Sequence, residues 1–218
     1  MDAAEMLSDL GDYGFSDTST TTKVRALQKA VWAIEGSEPW PFLEAEDDAN
    51  FSGTSGVPSN WTTDFTRCRT ILRVKDLSTG ARIRPLRMDD FEDRVGKDYT
   101  TAGDPLVYWF QNREPNFYPL PPSSTARVRI RFIQRSAAIT ASSTEAAFLI
   151  PVQYHEVIIA RTLPILYAME DDIELAQYFA ANAVELQARM KSDIFVQQYD
   201  MPDFVHVFDS DDPDDDYL

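Results

Sequence analysis

The sequence predicts an α+β fold: a bundle of N- and C-terminal helices, an inserted antiparallel β-rich domain, and an extended acidic C-terminal tail. Three observations predict it. Apolar residues recur at spacings of three and four near both ends, which is the helical period. In the middle, basic and apolar residues alternate, which is the strand period. The last residues lose periodicity and carry nine acids and no base after Ser192. Residues 1–60 and 145–196 are therefore assigned to the bundle, 61–144 to the insert and 197–218 to the tail.

Residues 3–10 form a short helix capped by Asp2, with Leu7 and Leu10 on one side, and a Gly/Asp-rich turn follows from Gly11 to Ser16. The run Thr18 to Thr22 supplies N-cap candidates for a second helix, whose apolar face is Val24, Leu27, Val31 and Ile34 and whose stop is Gly36. In Trp40-Pro41-Phe42-Leu43 the prolines forbid further helix, so the aromatic side chains sit on an extended segment that folds back. Residues 44–60, acidic and then rich in Ser, Gly and Pro, read as a loop.

The central strands are Arg67 to Lys75, Arg82-Ile83-Arg84 and Arg127 to Phe132, each with basic residues on one face and mostly apolar residues on the other. Leu106 to Phe110 and Asn116 to Tyr118 add aromatic strands, and Asp76 to Gly80 is a hairpin turn. These make one antiparallel sheet with one face on a core and one face cationic. Met88 to Val95 is a short helix across its end. After a Ser/Thr/Ala linker, Pro151 opens a helix to about Met169, with a kink expected at Pro164. Asp171 and Asp172 begin the last helix, with the stripe Leu175, Phe179, Ala183, Leu186, Met190 and Ile194.

Charge narrows the function. The 218 residues carry a formal net charge of −16, with 36 acids and 20 bases. A free protein that coats DNA or an anionic membrane needs the opposite sign. Yet 14 of the 20 bases lie in residues 66–135, between acidic ends. That segregation points to contact between the basic middle and acidic segments, within one chain or between copies. The start Met-Asp-Ala-Ala-Glu has no signal-peptide character, and apolar runs such as Val157 to Ala160 are far too short for a membrane span. Cys68 is the only cysteine, so no intrachain disulfide is available.

No motif for catalysis or a cofactor is present: no GxGxxG, Walker loop, GxSxG or CxxC. His155 and His206 lack zinc-site spacing, and His155 reads as a capping or packing residue. The Asp209 to Asp216 run lacks the glycine and terminal glutamate of a calcium loop. Asp89-Asp90 and Asp171-Asp172 are sequence neighbours, about 100° apart on a helix, and serve helix starts better than acid/base chemistry. No catalytic residue, metal or cofactor is expected.

Five segments in order resemble the head–tail adaptor (connector, or head-completion) proteins of tailed bacteriophages. They are the helix Lys23 to Glu35 leading into Trp40-Pro41-Phe42-Leu43; Trp61-Thr62-Thr63-Asp64-Phe65 entering Ile71-Leu72-Arg73-Val74; Arg84-Pro85-Leu86 before Asp89-Asp90-Phe91; Gly103 to Tyr108 with Phe117 to Pro121; and Leu149 to Glu156. Each is short, and their order and spacing over residues 20–195 carry the resemblance. The segment 1–17 and the acidic tail have no counterpart in it.

The resemblance implies a structural virion protein at the head–tail junction. It implies a homo-oligomeric ring of 12 copies beneath the portal protein, extending the channel for double-stranded DNA and offering a docking surface to tail proteins. Two contacts are expected on that basis. Phe204, Val205, Val207 and Phe208 dock on the portal or another partner, and Arg67, Arg69, Arg73, Arg127, Arg129 and Arg131 form a basic face between subunits. The competing readings are a tail-tube or nozzle protein, a module binding single-stranded nucleic acid through its Arg/aromatic strands, and an enzyme using scattered carboxylates.

Overall fold

A computed structural model describes residues 1–51, 55–95, 101–121 and 128–200, and its architecture is α+β. The N-terminal helix α1 spans Ala3–Leu10, and Asp2 caps it in a reciprocal box with Glu5. At the expected Gly/Asp-rich turn the chain winds into a π-helical segment, Gly11–Phe15, that is broken at Gly14 (φ 101°) and buries Phe15 against the bundle. Helix α2 spans Thr20–Ser37 from the N-cap Ser19. It runs through Gly36. The stop lies at Glu38, extended as the residue before Pro39 must be. Trp40 then folds back as expected: it is fully buried and its indole donates to the Ile34 carbonyl at 2.7 Å.

Residues 44–60 are not a loop throughout. Glu44–Ala49 is a strand, β1, paired antiparallel with Val128–Gln134, which is β6. The run Glu-Ala-Glu-Asp-Asp-Ala has poor strand propensity, so propensity misses it; its partner makes it a strand. After the short helix α3, Trp61–Asp64, comes β2, Cys68–Asp76, on the other side of β6. This sheet has the order β1-β6-β2. A second, mixed sheet of order β3-β4-β5 holds β3 (Arg84–Pro85), β4 (Val107–Gln111) and β5 (Glu114–Tyr118). The expected single antiparallel sheet is thus two, and β3 runs parallel to β4. Helix α4, Met88–Val95, lies between β3 and β4 in the chain, as the sequence predicts.

The Asp76 to Gly80 turn forms as expected. The buried Asp76 carboxylate accepts from Ser78 and Thr79, while Gly80 sits at φ 77°, where a side chain would be strained. Between the two sheets, Phe51, Phe65, Val74, Tyr108, Phe117, Ile130 and Phe132 form one apolar cluster.

The helical body has its own cluster. Helix α5, His155–Met169, packs between α2 and α6, Ile173–Asp200, burying Leu27, Val31, Ile34, Ile158, Leu163 and Met190. Pro151 precedes a 3₁₀ turn, Val152–Tyr154, rather than opening the helix itself. Pro164 lies inside α5, where it has no N–H to offer Ala160. Asp172 caps α6 by accepting from the Leu175 N–H at 3.0 Å. The α6 stripe is buried or half-buried at Phe179, Ala183, Leu186, Met190 and Ile194, but Leu175 is exposed. The helix runs past the expected tail boundary at 197 to Asp200.

Candidate interaction surface

Strand β6 shows the period-two design cleanly. Val128, Ile130 and Phe132 are buried, and Arg129 and Arg131 point outward. Strand β2 follows it with two bulges, between Cys68 and Thr70 and between Ile71 and Arg73, that reset the alternation. After the second bulge, Arg73 lies opposite Arg131 and Lys75 opposite Arg129. On the other side, Glu46 lies opposite Arg131 and Asp48 opposite Arg129. The outer face of the sheet is therefore two cross-strand rows, Glu46-Arg131-Arg73 and Asp48-Arg129-Lys75.

Among the described residues, Glu44, Glu46 and Asp48 of β1 answer the β6 arginines. Arg129 donates to Asp48 at 2.7 Å and lies 3.4 Å from Glu46, and Arg131 pairs with Glu44. The Asp48 carboxylate holds Arg129 above the usual guanidinium range. Arg73 and Lys75 have no ion pair among the described residues. An open groove follows, lined by Arg73, Lys75, Arg129, Arg131 and Glu46, with Leu77 of the hairpin as one wall.

A second basic patch lies where the sheet meets the helical body. Arg67, Cys68, Arg69 and Arg135 line it. Here two cations bind the molecule to itself. Arg69 donates to the Glu35 carbonyl at 3.3 Å, and the Arg135 guanidinium stacks 3.7 Å from the Trp32 ring centroid. The Glu35 carboxylate is buried and accepts from the Ser136 N–H at 3.1 Å and from the Ser136 hydroxyl. Burial raises its pKa, against the pull of Ser136, Arg135 and Arg69. Burial also pushes the Cys68 thiol up to about 11, so it stays protonated and a poor nucleophile near neutral pH.

Of the six arginines expected on an inter-subunit face, the structure brings Arg73, Arg129 and Arg131 to the groove and Arg67 and Arg69 to the junction patch; Arg127 lies outside the described residues. Phe204, Val205, Val207, Phe208 and His206 also lie outside them. His155 is buried at the α5 start, its ring nitrogens 3.0 Å from the Met1 carbonyl and 2.9 Å from that of Ile150. This is the packing role the sequence suggests. Sequence reasoning put Lys75 on the basic face of its strand but missed the acids of β1. The signal was present, since Glu44, Glu46 and Asp48 repeat at the same period of two as the arginines they face.

Among the described residues, no group of three or more His, Cys, Asp or Glu is arranged to hold a metal, and no helix is long and apolar enough to cross a membrane. Comparison with known proteins bears on what this charged face is for. A family model described as SU10 adaptor protein matches residues 1–207. No curated protein matches the chain.

Proposed function

Because the chain belongs to the SU10 adaptor protein family, a family of phage structural proteins and so of virion components, we propose that it forms a ring adaptor between portal and tail. The family match over residues 1–207 carries this reading. In it, 12 copies line up below the portal, extend the DNA channel and offer tail proteins a docking surface at the head–tail junction. The role has no chemical step. The net charge of −16 suits a channel wall that lets DNA pass, since few cations are left to hold phosphates.

The proposed division of labour follows the chain. Residues 1–60 and 145–196 form the helical hub, 61–144 an inserted β unit that also recruits β1, and 197–218 an arm. A ring of one chain needs two different patches that meet. The basic face with Arg67, Arg69, Arg73, Arg127, Arg129 and Arg131 is proposed as one. Phe204, Val205, Val207 and Phe208 are proposed as apolar anchors on the portal or another partner. The pairing of Arg129 and Arg131 with β1 acids weighs against nucleic acid as the ligand of this face, because phosphates would have to displace bound carboxylates.

The test is mass photometry and electron microscopy of the full chain with and without portal rings, alongside a chain lacking residues 201–218. The expected outcome is a portal-bound ring for the full chain and weakened attachment for the shortened one. A chain that stays monomeric beside portal rings overturns the ring reading. Unchanged attachment of the shortened chain overturns the anchor role.

A further inference from the structure

We infer that the groove on the charged face of the β1-β6-β2 sheet is a binding site for an aspartate-rich peptide, occupied in the unassembled chain by the chain's own residues 209–216. The groove asks for an anion. Arg73 lies directly opposite Arg131, and Lys75 directly opposite Arg129, and like charges facing across strands repel. Among the described residues, Glu44, Glu46 and Asp48 of β1 answer the β6 arginines and leave Arg73 and Lys75 without an ion pair.

The groove also discriminates between anions. Glu46 forms part of its lining, so a continuous row of phosphates would meet a fixed negative charge. Carboxylates spaced along a peptide can avoid Glu46 and still reach Arg73 and Lys75 on the far side. Leu77, 38% exposed, offers an apolar wall to the aliphatic parts of such a peptide.

The chain carries a matching ligand. Asp209, Asp211, Asp212, Asp214, Asp215 and Asp216 crowd into eight residues, and no base occurs after Lys191. The later turns of helix α6 lie against the residues that lead into β1. The Phe195 ring lies 6.2 Å from Trp40, and Lys191 pairs with Glu38 at 2.5 Å, both shortly before β1 begins at Glu44. Residues 201–208 can then span up to about 27 Å, against about 20 Å for a strand the length of β1. Tethering raises the local concentration of the aspartates, so even weak screened contacts keep the groove filled.

This inference concerns the free chain and stands apart from the ring reading. The full-length chain, labelled and unlabelled with a heavy isotope and mixed in equal parts, is treated with a zero-length carbodiimide that joins amines to carboxylates in contact. The monomeric and dimeric products are then both mapped by mass spectrometry. The expected result is an amide between Lys75 and a residue in 209–216, within isotopically pure molecules only. Its yield should fall several-fold in Arg73→Glu and in about 0.5 M salt, where the Debye length shrinks to about 4 Å. The salt arm needs no variant to fold. No such amide, an amide confined to mixed-isotope pairs, or a yield indifferent to salt overturns the inference. A chain that gives the amide yet forms no ring with portal overturns the ring reading alone.

Discussion

Glu35 and His155 are two buried titratable side chains whose pKa values burial moves in opposite directions. Glu35 is raised from its ordinary 4.5 by burial at the α2–sheet junction. Its folded form holds its proton longer than the unfolded chain does. The stability it contributes is therefore whole below pH 4.5 and is lost as pH rises to the folded value. His155 is lowered from 6.5 by burial, reinforced by the Met1 amino group and resisted by the Ile150 and Met1 carbonyls and Glu145. The unfolded chain takes up the proton first. Its contribution is whole above pH 6.5 and is lost as pH falls toward the folded value. We therefore expect the melting-temperature difference between Glu35→Gln and the parent to drift in favour of the variant as pH rises from 4.5. The difference between the parent and His155→Gln should shrink as pH falls below 6.5. Differences that stay constant across pH 4 to 8 would show that neither group changes its proton affinity on folding.

At the scale of elements, the connection after β1 is tied to the second sheet by backbone. Gly56 accepts from the Phe117 N–H at 2.8 Å, and a Cβ there would meet the Phe117 carbonyl oxygen at 2.6 Å. Backbone cannot yield to backbone cheaply, so Gly56→Ala should lower stability by about 1–3 kcal/mol, read as a shifted urea midpoint. A midpoint equal to the parent's would mean that the segment moves away without cost. The contrast among elements also explains what could be read from the sequence. The helices were legible because their stripes answer to one local period, down to the Asp2 cap and the Met169 end of α5. Strand β6 was legible for the same reason. Strand β1 was not, because an acidic run becomes a strand only where arginines of a distant strand face it. The bulges in β2 were equally invisible, and they decide that Arg73 and Lys75, not Leu72, share the groove with Arg131 and Arg129. Half of the candidate surface was thus named in advance as arginines. Its acidic half emerged only from the pairing.

At the scale of the whole molecule, the charge map of the sequence becomes a map of faces. The sum of −16 conceals a sheet whose outer side is cationic toward β2 and acidic along β1. A body with one basic edge and acid elsewhere attracts a copy of itself in only some orientations, and a repeated, non-self-matching contact is what closes a ring. The contribution of such exposed charges is small singly and is screened by salt, so in the proposed ring it would govern how fast and in which orientation copies meet more than how tightly they hold. Reversing Arg73 together with Arg67, neither of which has an ion pair among the described residues, tests this without breaking the β1–β6 pairs. The double variant Arg67→Glu/Arg73→Glu should melt within about 1 kcal/mol of the parent. It should nonetheless assemble on portal rings several-fold more slowly, and the difference should close as salt rises toward about 0.5 M, where the charges no longer see one another. Equal assembly rates at low salt would assign ring closure to apolar contacts alone and leave the basic face to the acidic arm.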